Sequence, residues 1–210
     1  MTFNKRILYL IEQAGSLLQT PRSHVRNLGN AFDTVASHSH HASIIAYCIA
    51  RMEKLNQTEA MRASVMAVYH DLAEARTGDL DFVSKNYTKD NEEKAISDQF
   101  HGLEFGNELK DLLKEYEERK TKVAKCAKDA DSISQMYIEW NLMWRGNKLA
   151  KMWFDGDFLD RVPHFYTVSA QQIAKAMKKS NPNDWWWSEF VTKDGKAKNL
   201  KHLMGNNYKK

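Results

Sequence analysis

The stretch VYHDLAEARTGD, residues 68–79, places a histidine and two carboxylates close together after an apolar helical run. His70 and Asp71 are adjacent, and Glu74 follows them by four and three residues. Residues at these separations share one face of a helix, so a continuous helix here would set Glu74 over both. Side chains of this kind are costly to bury in a hydrophobic core, but they are suitable ligands for a metal ion. A complete site would need further ligands from elsewhere in the chain.

The composition predicts one soluble, largely helical domain. Of the 210 residues, 42% are hydrophobic and 28% charged, which is typical of a globular protein with a core. Only 9 Gly and 3 Pro interrupt the chain, so long helices are favoured. The formal net charge of +4 does not indicate nucleic acid as a partner, and no apolar run is long enough to span a membrane. We expect a soluble cytoplasmic protein.

The spacing of apolar residues predicts an all-α bundle. Helices are expected over about 2–19, 36–55, 59–75, 91–101, 107–120, 122–145 and 170–179. Residues 21–35 are predicted to form a polar loop, and residues 146–164 a connection with short turns. The bundle is expected to occupy residues 1–180, followed by a tryptophan-rich, basic extension over 181–210.

The cysteines and the C-terminal tryptophans lead to two further expectations. Cys48 and Cys126 lie in apolar helical runs, so we expect buried free thiols in a reducing compartment. The three consecutive tryptophans, residues 185–187, cannot all face one way. We expect them to pack over the bundle or at a dimer contact, and the last ten residues to fray.

Two other positions could complete a metal site. His38 falls on the inward stripe of the second predicted helix, whereas His40 and His41 project elsewhere at about 100° per residue. The three histidines therefore cannot all bind one ion. Asp129 and Asp131 lie within the long predicted helix, about 200° apart around its axis. Only one of these aspartates can face a given site.

Most other kinds of site lack their sequence signals. The chain has no CxxC pair, no Walker-type phosphate loop, no dinucleotide fingerprint and no GxSxG elbow. Two imidazoles with two carboxylates suit a divalent transition ion that keeps positions open for water and substrate. Taken singly, each candidate residue is more often an ordinary core or surface side chain. The joint pattern is what favours metal chemistry; its members are His38, His70, Asp71, Glu74, Asp79 and Asp131.

Four segments match, in order and spacing, the landmarks of a known family. They are VASHS at 35–39, HDLAE at 70–74, TGD at 77–79 and AKDAD at 127–131. With them the sequence resembles the HD-superfamily phosphohydrolases, most closely the branch that contains the 5′-deoxynucleotidases. The resemblance extends over about residues 5–145, and the C-terminal third resembles no family.

The resemblance implies an HD-domain helical bundle that binds a divalent cation (Mn, Co, Mg, Zn or Fe). The implied metal ligands are His38, His70, Asp71 and Asp131, with Asp129 only a neighbour. Glu74 would position or deprotonate the attacking water, and Asp79 would help to hold the substrate or that water.

Arg22 matches the phosphate-gripping arginine of the family, and its guanidinium fork suits phosphate. His24 is a further candidate for a substrate contact. Two positions depart from the family pattern. Ser37 stands where an acidic residue usually precedes the first metal histidine, and Ser23 where the deoxynucleotidases have a tryptophan. A preference for deoxyribose is therefore not carried over.

We predict a metal-dependent phosphohydrolase that releases phosphate from (deoxy)nucleoside 5′-monophosphates. The alternative is a (deoxy)nucleoside triphosphate phosphohydrolase of the same superfamily, which basic residues near the site would favour; Arg26, Lys85 and Lys128 are the candidates. A non-catalytic helical module that binds nucleotide or a partner is a third possibility, although it would have no reason to keep costly buried charges together. We expect a nucleotide substrate, no nucleic acid or membrane partner, and a homodimer.

Overall fold

The computed structural model describes residues 2–30, 32–88 and 91–198. In these ranges the all-α prediction is confirmed, because the regular structure consists of helices with two isolated β-bridges and no strands. The helices are α1 Phe3–Ser16, α2 Val25–Leu28, α3 Val35–Met52, α4 Gln57–Tyr69, α5 Glu74–Thr77, α6 Glu92–Phe100, α7 Gly106–Glu118, α8 Lys122–Trp144, α9 Lys148–Asp160, α10 Val168–Lys179 and α11 Asp184–Phe190, with 3₁₀ turns at Ser84–Asn86 and Val162–His164.

Polar residues explain where the long helices begin. The Thr34 hydroxyl accepts the backbone N–H of Ser37 at 3.2 Å, and the Ser37 hydroxyl accepts the N–H of Thr34 at 2.9 Å, so α3 starts with a reciprocal capping box. Asn56 and Glu59 form the same arrangement at α4. Each cap satisfies amide groups that would otherwise lack a partner and stabilises its helix by about 1 kcal/mol. Single side-chain caps start four more helices, at Asn91, Thr121, Asn147 and Thr167.

The core is built where α3, α4 and α8 pack against one another. Alanines with no exposed surface recur at spacings of three or four residues on these helices, so the backbones can approach closely. Larger side chains would overpack this region. The close packing brings together residues that are far apart in sequence. The alanines are Ala42, Ala46 and Ala50 on α3, Ala60, Ala63 and Ala67 on α4, and Ala124, Ala127 and Ala130 on α8.

A second apolar cluster supports the turn that follows α4. Leu72 packs there with Val35 and Phe100, both nearly fully buried. The buried Gln99 side chain donates from Nε2 to the backbone carbonyl of Leu72 at 2.9 Å. This hydrogen bond satisfies a carbonyl within a segment that has left the helical ladder, and it ties α6 to the turn.

The expectation of a connection over residues 146–164 is wrong, because most of that segment is α9. Asn147 accepts the N–H of Ala150 at 3.0 Å and starts the helix. Ala150 and Phe154, four residues apart, form its buried side. A mid-helix glycine, Gly156, and the acidic residues of its last turns disguise this periodicity in the sequence. The segment 21–35 likewise contains a short helix, α2, within its loop.

Two expectations about side-chain burial are also corrected. Cys126 is buried but Cys48 is exposed on the outer face of α3, and both thiols are free. Trp185 and Trp187 lie in α11 with 72% and 49% of their surface exposed, so these two do not pack over the bundle. The alternative, a dimer contact, stays a prediction. The fraying expected for the last ten residues falls outside the described ranges. No helix in the described chain is long and apolar enough to cross a membrane.

Candidate metal centre and substrate cavity

Four of the residues predicted as metal ligands converge in the interior. Ligand atoms of His38, His70 and Asp71 all lie within 4.8 Å of one another. Asp131 joins this trio through Oδ1, which lies 3.1 Å from His38 Nε2 and 3.8 Å from His70 Nε2. Asp71 Oδ2 is 3.1 Å from His70 Nε2 and 3.7 Å from His38 Nε2. We refer to these four residues as the metal cluster.

The backbone around His70 differs from the continuous helix expected over 59–75. Helix α4 ends at Tyr69, and the next residues form tight turns before α5 starts at Glu74. The N–H of Leu72 bonds to Tyr69 O and that of Glu74 to Asp71 O, so the bonding changes from four-residue to three-residue steps. This tightening places Asp71 beside His70 in the metal cluster, which an uninterrupted α-helix would not do.

The donor set fits a divalent cation. His70 Nδ1 lies 2.8 Å from the carbonyl oxygen of Ala67, which fixes Nδ1 as the N–H donor and leaves the lone pair on Nε2. That Nε2 is buried and has no hydrogen-bond partner among the described residues. A neutral imidazole nitrogen that faces a second imidazole and two carboxylates is a suitable ligand for a transition ion.

Electrostatics favour a cation at the same place. The carboxylates of Asp71, Glu74, Asp79 and Asp131 lie near one another, while Arg22 and Lys128 are the cationic side chains that contact them within the described ranges. With all four carboxylates ionised and both imidazoles neutral, as metal binding requires, four negative charges against two positive ones leave an excess of two. Buried charge of one sign is costly, and a divalent ion would offset it.

Arg22 occupies the centre of the acidic residues. Its Nη1 lies 3.0 Å from Asp71 Oδ2, 3.0 Å from Asp79 Oδ2 and 3.9 Å from Glu74 Oε2. Its Nε is buried with no partner among the described residues, so this donor is free for another acceptor. Asp79 also accepts the backbone N–H of Ser23 at 2.9 Å, which holds the arginine loop against the metal cluster.

The ionisation of these groups is strongly perturbed. Burial and the neighbouring charges of Asp71 and Asp79 raise the pKa of Glu74 to about 9. Burial alone would lower the pKa of His70, but Asp71 and Asp131 raise it to about 10. Asp131 is held well below its usual pKa, against the effect of burial, by Lys128 and the two histidines. Protons and a metal ion therefore compete for the same atoms.

Asp129, two residues from Asp131, has a structural position, as the helical geometry requires. It is buried and accepts from Thr167 N–H at 2.8 Å, Thr167 Oγ1 at 2.6 Å and Tyr166 N–H at 3.0 Å. These bonds attach the start of α10 to α8. Burial raises the pKa of Asp129.

His24 does not join the metal cluster. It is buried, and its Nε2 lies 3.0 Å from Asp33 Oδ2. Asp33 Oδ1 lies 2.8 Å from the hydroxyl of Ser37, so Asp33 links His24 to the first turn of α3. The sequence analysis missed Asp33. Ser37 stands where the family usually has an acidic residue, and Asp33, four residues earlier, brings a carboxylate next to Ser37. Two backbone hydrogen bonds, from Arg22 N–H to Asp33 O and from Val35 N–H to Thr20 O, pair Pro21 with Thr34 and close this loop on itself.

A cavity of about 520 Å³ opens beside the metal cluster. This volume falls within the range of about 300–1,000 Å³ that is usual for small-molecule sites. Arg22, His24, Asp79 and Asp131 line one part of the cavity. The remaining wall includes Gln135 and Glu139 of α8 and Trp153 and Asp157 of α9, which the sequence did not identify as site residues. The α9 residues were missed because their segment was expected to be a connection, and the α8 residues because none of the recognised sequence segments contains them.

Comparison with known proteins identifies the family. The model of the HD domain family matches residues 14–181, most of the chain. This chain belongs to the HD domain family. The assignment confirms the sequence resemblance to the HD superfamily and the prediction of an HD-domain helical bundle.

Individual relatives are distant. A 5′-deoxynucleotidase (HDDC2) from Dictyostelium discoideum is 29% identical over 113 residues, which is 50% of this chain and 60% of that protein. A structural-genomics crystal structure is 28% identical and superposes with a TM-score of 0.70 over 86% of this chain and 99% of the other. A predicted metal-dependent phosphohydrolase from Magnetospirillum magnetotacticum, 19% identical, has a TM-score of 0.61 over 84% and 91%, and shows the fold alone.

Proposed function

We propose that this HD-domain protein is a metal-dependent phosphohydrolase that releases phosphate from (deoxy)nucleoside 5′-monophosphates. One observation carries the proposal: a buried arginine with a free donor and Asp131 of the metal cluster line the same cavity. The activity named for the Dictyostelium relative is of the same kind.

The residues of the site would have different roles in this reaction. His38, His70, Asp71 and Asp131 would hold a divalent cation, which supplies a Lewis acid for the phosphoryl group and acidifies water. Arg22 would turn its free Nε, with the rest of its fork, toward two phosphate oxygens. The guanidinium then neutralises charge that develops on the phosphoryl group.

Glu74 lies near the guanidinium of Arg22, which Asp71 and Asp79 also contact. Its Oε2 is buried and has no hydrogen-bond partner among the described residues, so the ionised carboxylate can accept a proton from water held beside it. Asp79 would keep Arg22 in place through its two contacts with the arginine loop.

A triphosphate substrate remains the second candidate because of one specific observation. Lys128 Nζ lies 2.7 Å from Asp131 Oδ2, and Lys128 lines a second cavity of about 380 Å³ together with Arg119, Arg161 and His164. Basic side chains so close to the metal cluster would suit a longer phosphate chain. Of the other candidates, Lys85 lines the main cavity and Arg26 is exposed and paired with Asp81.

Product analysis separates the two candidates. The purified protein, supplied with Mn²⁺ or Co²⁺, is incubated with nucleoside mono- and triphosphates, and the products are resolved by chromatography. Nucleoside and orthophosphate from the monophosphates are the expected products, with none in the His70→Ala variant. Tripolyphosphate or pyrophosphate from triphosphates, without turnover of monophosphates, would contradict the monophosphatase proposal and support the alternative.

A further inference from the structure

Tyr116 contacts two of the four residues in the metal cluster. It lies in the last turn of α7, and only 4% of its surface is exposed. Its hydroxyl donates to Asp131 Oδ2 at 3.1 Å. Its ring packs against the imidazole of His70, with the ring centroids 5.4 Å apart and the planes inclined by 58°. Neither the sequence motifs nor the proposed reaction assigns a role to this tyrosine.

The two oxygens of Asp131 have different partners. Oδ2 accepts the hydroxyl of Tyr116 and, at 2.7 Å, the ammonium group of Lys128. Oδ1 lies 3.1 Å from His38 Nε2 and 3.8 Å from His70 Nε2. Because an ionised carboxylate can only accept hydrogen bonds, both contacts at Oδ2 are donated to it. They fix the rotation of the carboxylate, so that Oδ1 is the oxygen that faces the two imidazoles.

The imidazole of His70 is held on two sides. Its Nδ1 donates to the carbonyl oxygen of Ala67 at 2.8 Å, which holds one edge of the ring. The Cβ–Cγ torsion of a histidine has a broad energy minimum, so one hydrogen bond alone does not fix the ring. The packed ring of Tyr116 limits this rotation and keeps Nε2 directed into the metal cluster.

The hydroxyl distinguishes Tyr116 from an ordinary core aromatic residue. Tyr116 belongs to the main apolar cluster, where a phenylalanine ring would fill nearly the same space. A buried hydroxyl costs free energy unless it has a hydrogen-bond partner, and the partner here is a residue of the metal cluster. The tyrosine is therefore placed to act on Asp131 as well as to fill the core.

We propose that Tyr116 is a positioning residue for the metal cluster and raises the affinity of the cluster for a divalent cation. The hydroxyl keeps Oδ1 of Asp131 available to the cation, and the ring keeps the imidazole of His70 in its binding orientation. Ligands that are held in place before the cation binds need less ordering when it does, so the affinity is higher. This inference rests on the proposed function, since it takes the metal cluster as the cation site.

Charge decides which variant tests the inference. Lys128 holds the same oxygen as Tyr116, but its ammonium group also repels a cation. Removal of Lys128 therefore has two opposing effects on metal affinity. Tyr116→Phe removes one uncharged hydroxyl and keeps the ring in the core, so a change in metal affinity reports the position of Asp131.

The test is a calorimetric titration of the metal-free protein with Mn²⁺, in the absence of substrate. Tyr116→Phe should raise the Kd for Mn²⁺ about ten- to a hundredfold, as is usual when a hydrogen bond to a metal ligand is lost. Tyr137→Phe is the matched control, because the Tyr137 hydroxyl accepts from Asn141 Nδ2 at 3.3 Å, outside the metal cluster. Its Kd should equal that of the wild-type protein. Circular dichroism verifies that each variant is folded.

A second comparison tests the shared oxygen. In a Lys128→Ala background, the hydroxyl of Tyr116 is the donor that remains to Asp131 Oδ2 within the described chain. Adding Tyr116→Phe to Lys128→Ala should then raise the Kd by a larger factor than Tyr116→Phe does in the wild-type protein. The charge of Lys128 cancels from this comparison, because it is the same within each pair of proteins.

The outcomes separate this inference from the proposed function. Equal Mn²⁺ affinity of the folded Tyr116→Phe variant and the wild-type protein would overturn the inference while leaving the metal cluster as the cation site. A loss that is no larger in the Lys128→Ala background would overturn the role of the hydroxyl at Oδ2. Failure of the wild-type protein to bind Mn²⁺ would overturn the cation site, and both proposals with it.

Discussion

His38 Nε2 lies 3.1 Å from Asp131 Oδ1, a contact that spans 93 residues of sequence. It joins the first turn of α3 to the middle of α8, and the close packing of alanine-rich faces makes it possible. Both side chains are largely buried, so the contact needs a compensating partner in the interior. A divalent cation shared with His70 and Asp71 would be that partner.

The first prediction concerns metal content. His70→Ala and Asp71→Ala should each lose most of the bound metal and the phosphatase activity, because each removes a ligand from the metal cluster. His40→Ala is the matched control, since His40 is exposed on the same helix as His38. Elemental analysis and phosphate release are measured on each variant. Full metal content and full activity in both ligand variants would contradict the enzyme assignment.

The second prediction separates Glu74 from the metal ligands. Glu74→Ala should retain metal but lose turnover by about 10²- to 10⁴-fold, the usual contribution of a general acid–base residue. Metal content by elemental analysis and kcat are the two measurements. A variant that loses its metal would place Glu74 among the ligands, and one that keeps its turnover would remove it from the chemistry.

The third prediction concerns the phosphate contact. Arg22→Ala should lower kcat/KM about ten- to a hundredfold, because a hydrogen bond to a charged group contributes about 1.5–3 kcal/mol. Arg22→Lys should recover only part of this loss, since lysine keeps the charge but not the fork. Arg26→Ala, a substitution of a largely exposed neighbour, is the control and should have a small effect. Equal effects at both arginines would argue against the assigned role of Arg22.

The fourth prediction concerns stability. Asp129→Ala should lower the free energy of unfolding by about 2–4 kcal/mol, because three buried donors at the start of α10 lose their acceptor. Urea denaturation measures the change. Metal content should stay near that of the wild-type protein, in contrast to Asp131→Ala. A metal-deficient but equally stable Asp129 variant would reverse the roles given to the two aspartates.

The fifth prediction concerns pH. The pKa of Glu139 is raised from its ordinary 4.5 to about 8 in the folded chain, so between these values the folded state holds a proton that the unfolded state has released. Unfolding free energy should therefore fall as the pH rises through this window. Glu139→Gln, which cannot ionise, should flatten this part of the profile. Denaturation at several pH values checks it, and an unchanged slope would contradict the assigned pKa.

Many features of this protein could be predicted from short segments of its sequence. The helical periodicity of α3, α4 and α8 predicted an all-α fold, and the inward position of His38 and the separation of Asp129 from Asp131 followed from helix geometry alone. The family match confirms the resemblance that rested on four short segments. The roles of the individual site residues and the homodimer stay predictions.

Other features could not be predicted, because they depend on contacts between distant segments. Helix α9 was hidden by Gly156 and its acidic residues, and with it the far wall of the cavity was missed. The turn at His70 was expected to be helical, since the sequence does not show that Gln99 would satisfy the carbonyl of Leu72.

The sequence by itself determined which residue types are available and which helix faces they occupy, because periodicity and ligand chemistry are properties of neighbouring residues. Only the tertiary structure decided that Asp33 supports His24, that Arg22 lies among three carboxylates, and that Glu139 meets Asp157. The physical reason is that the burial of a side chain and its hydrogen-bond and ion-pair partners are set only when whole helices pack against one another.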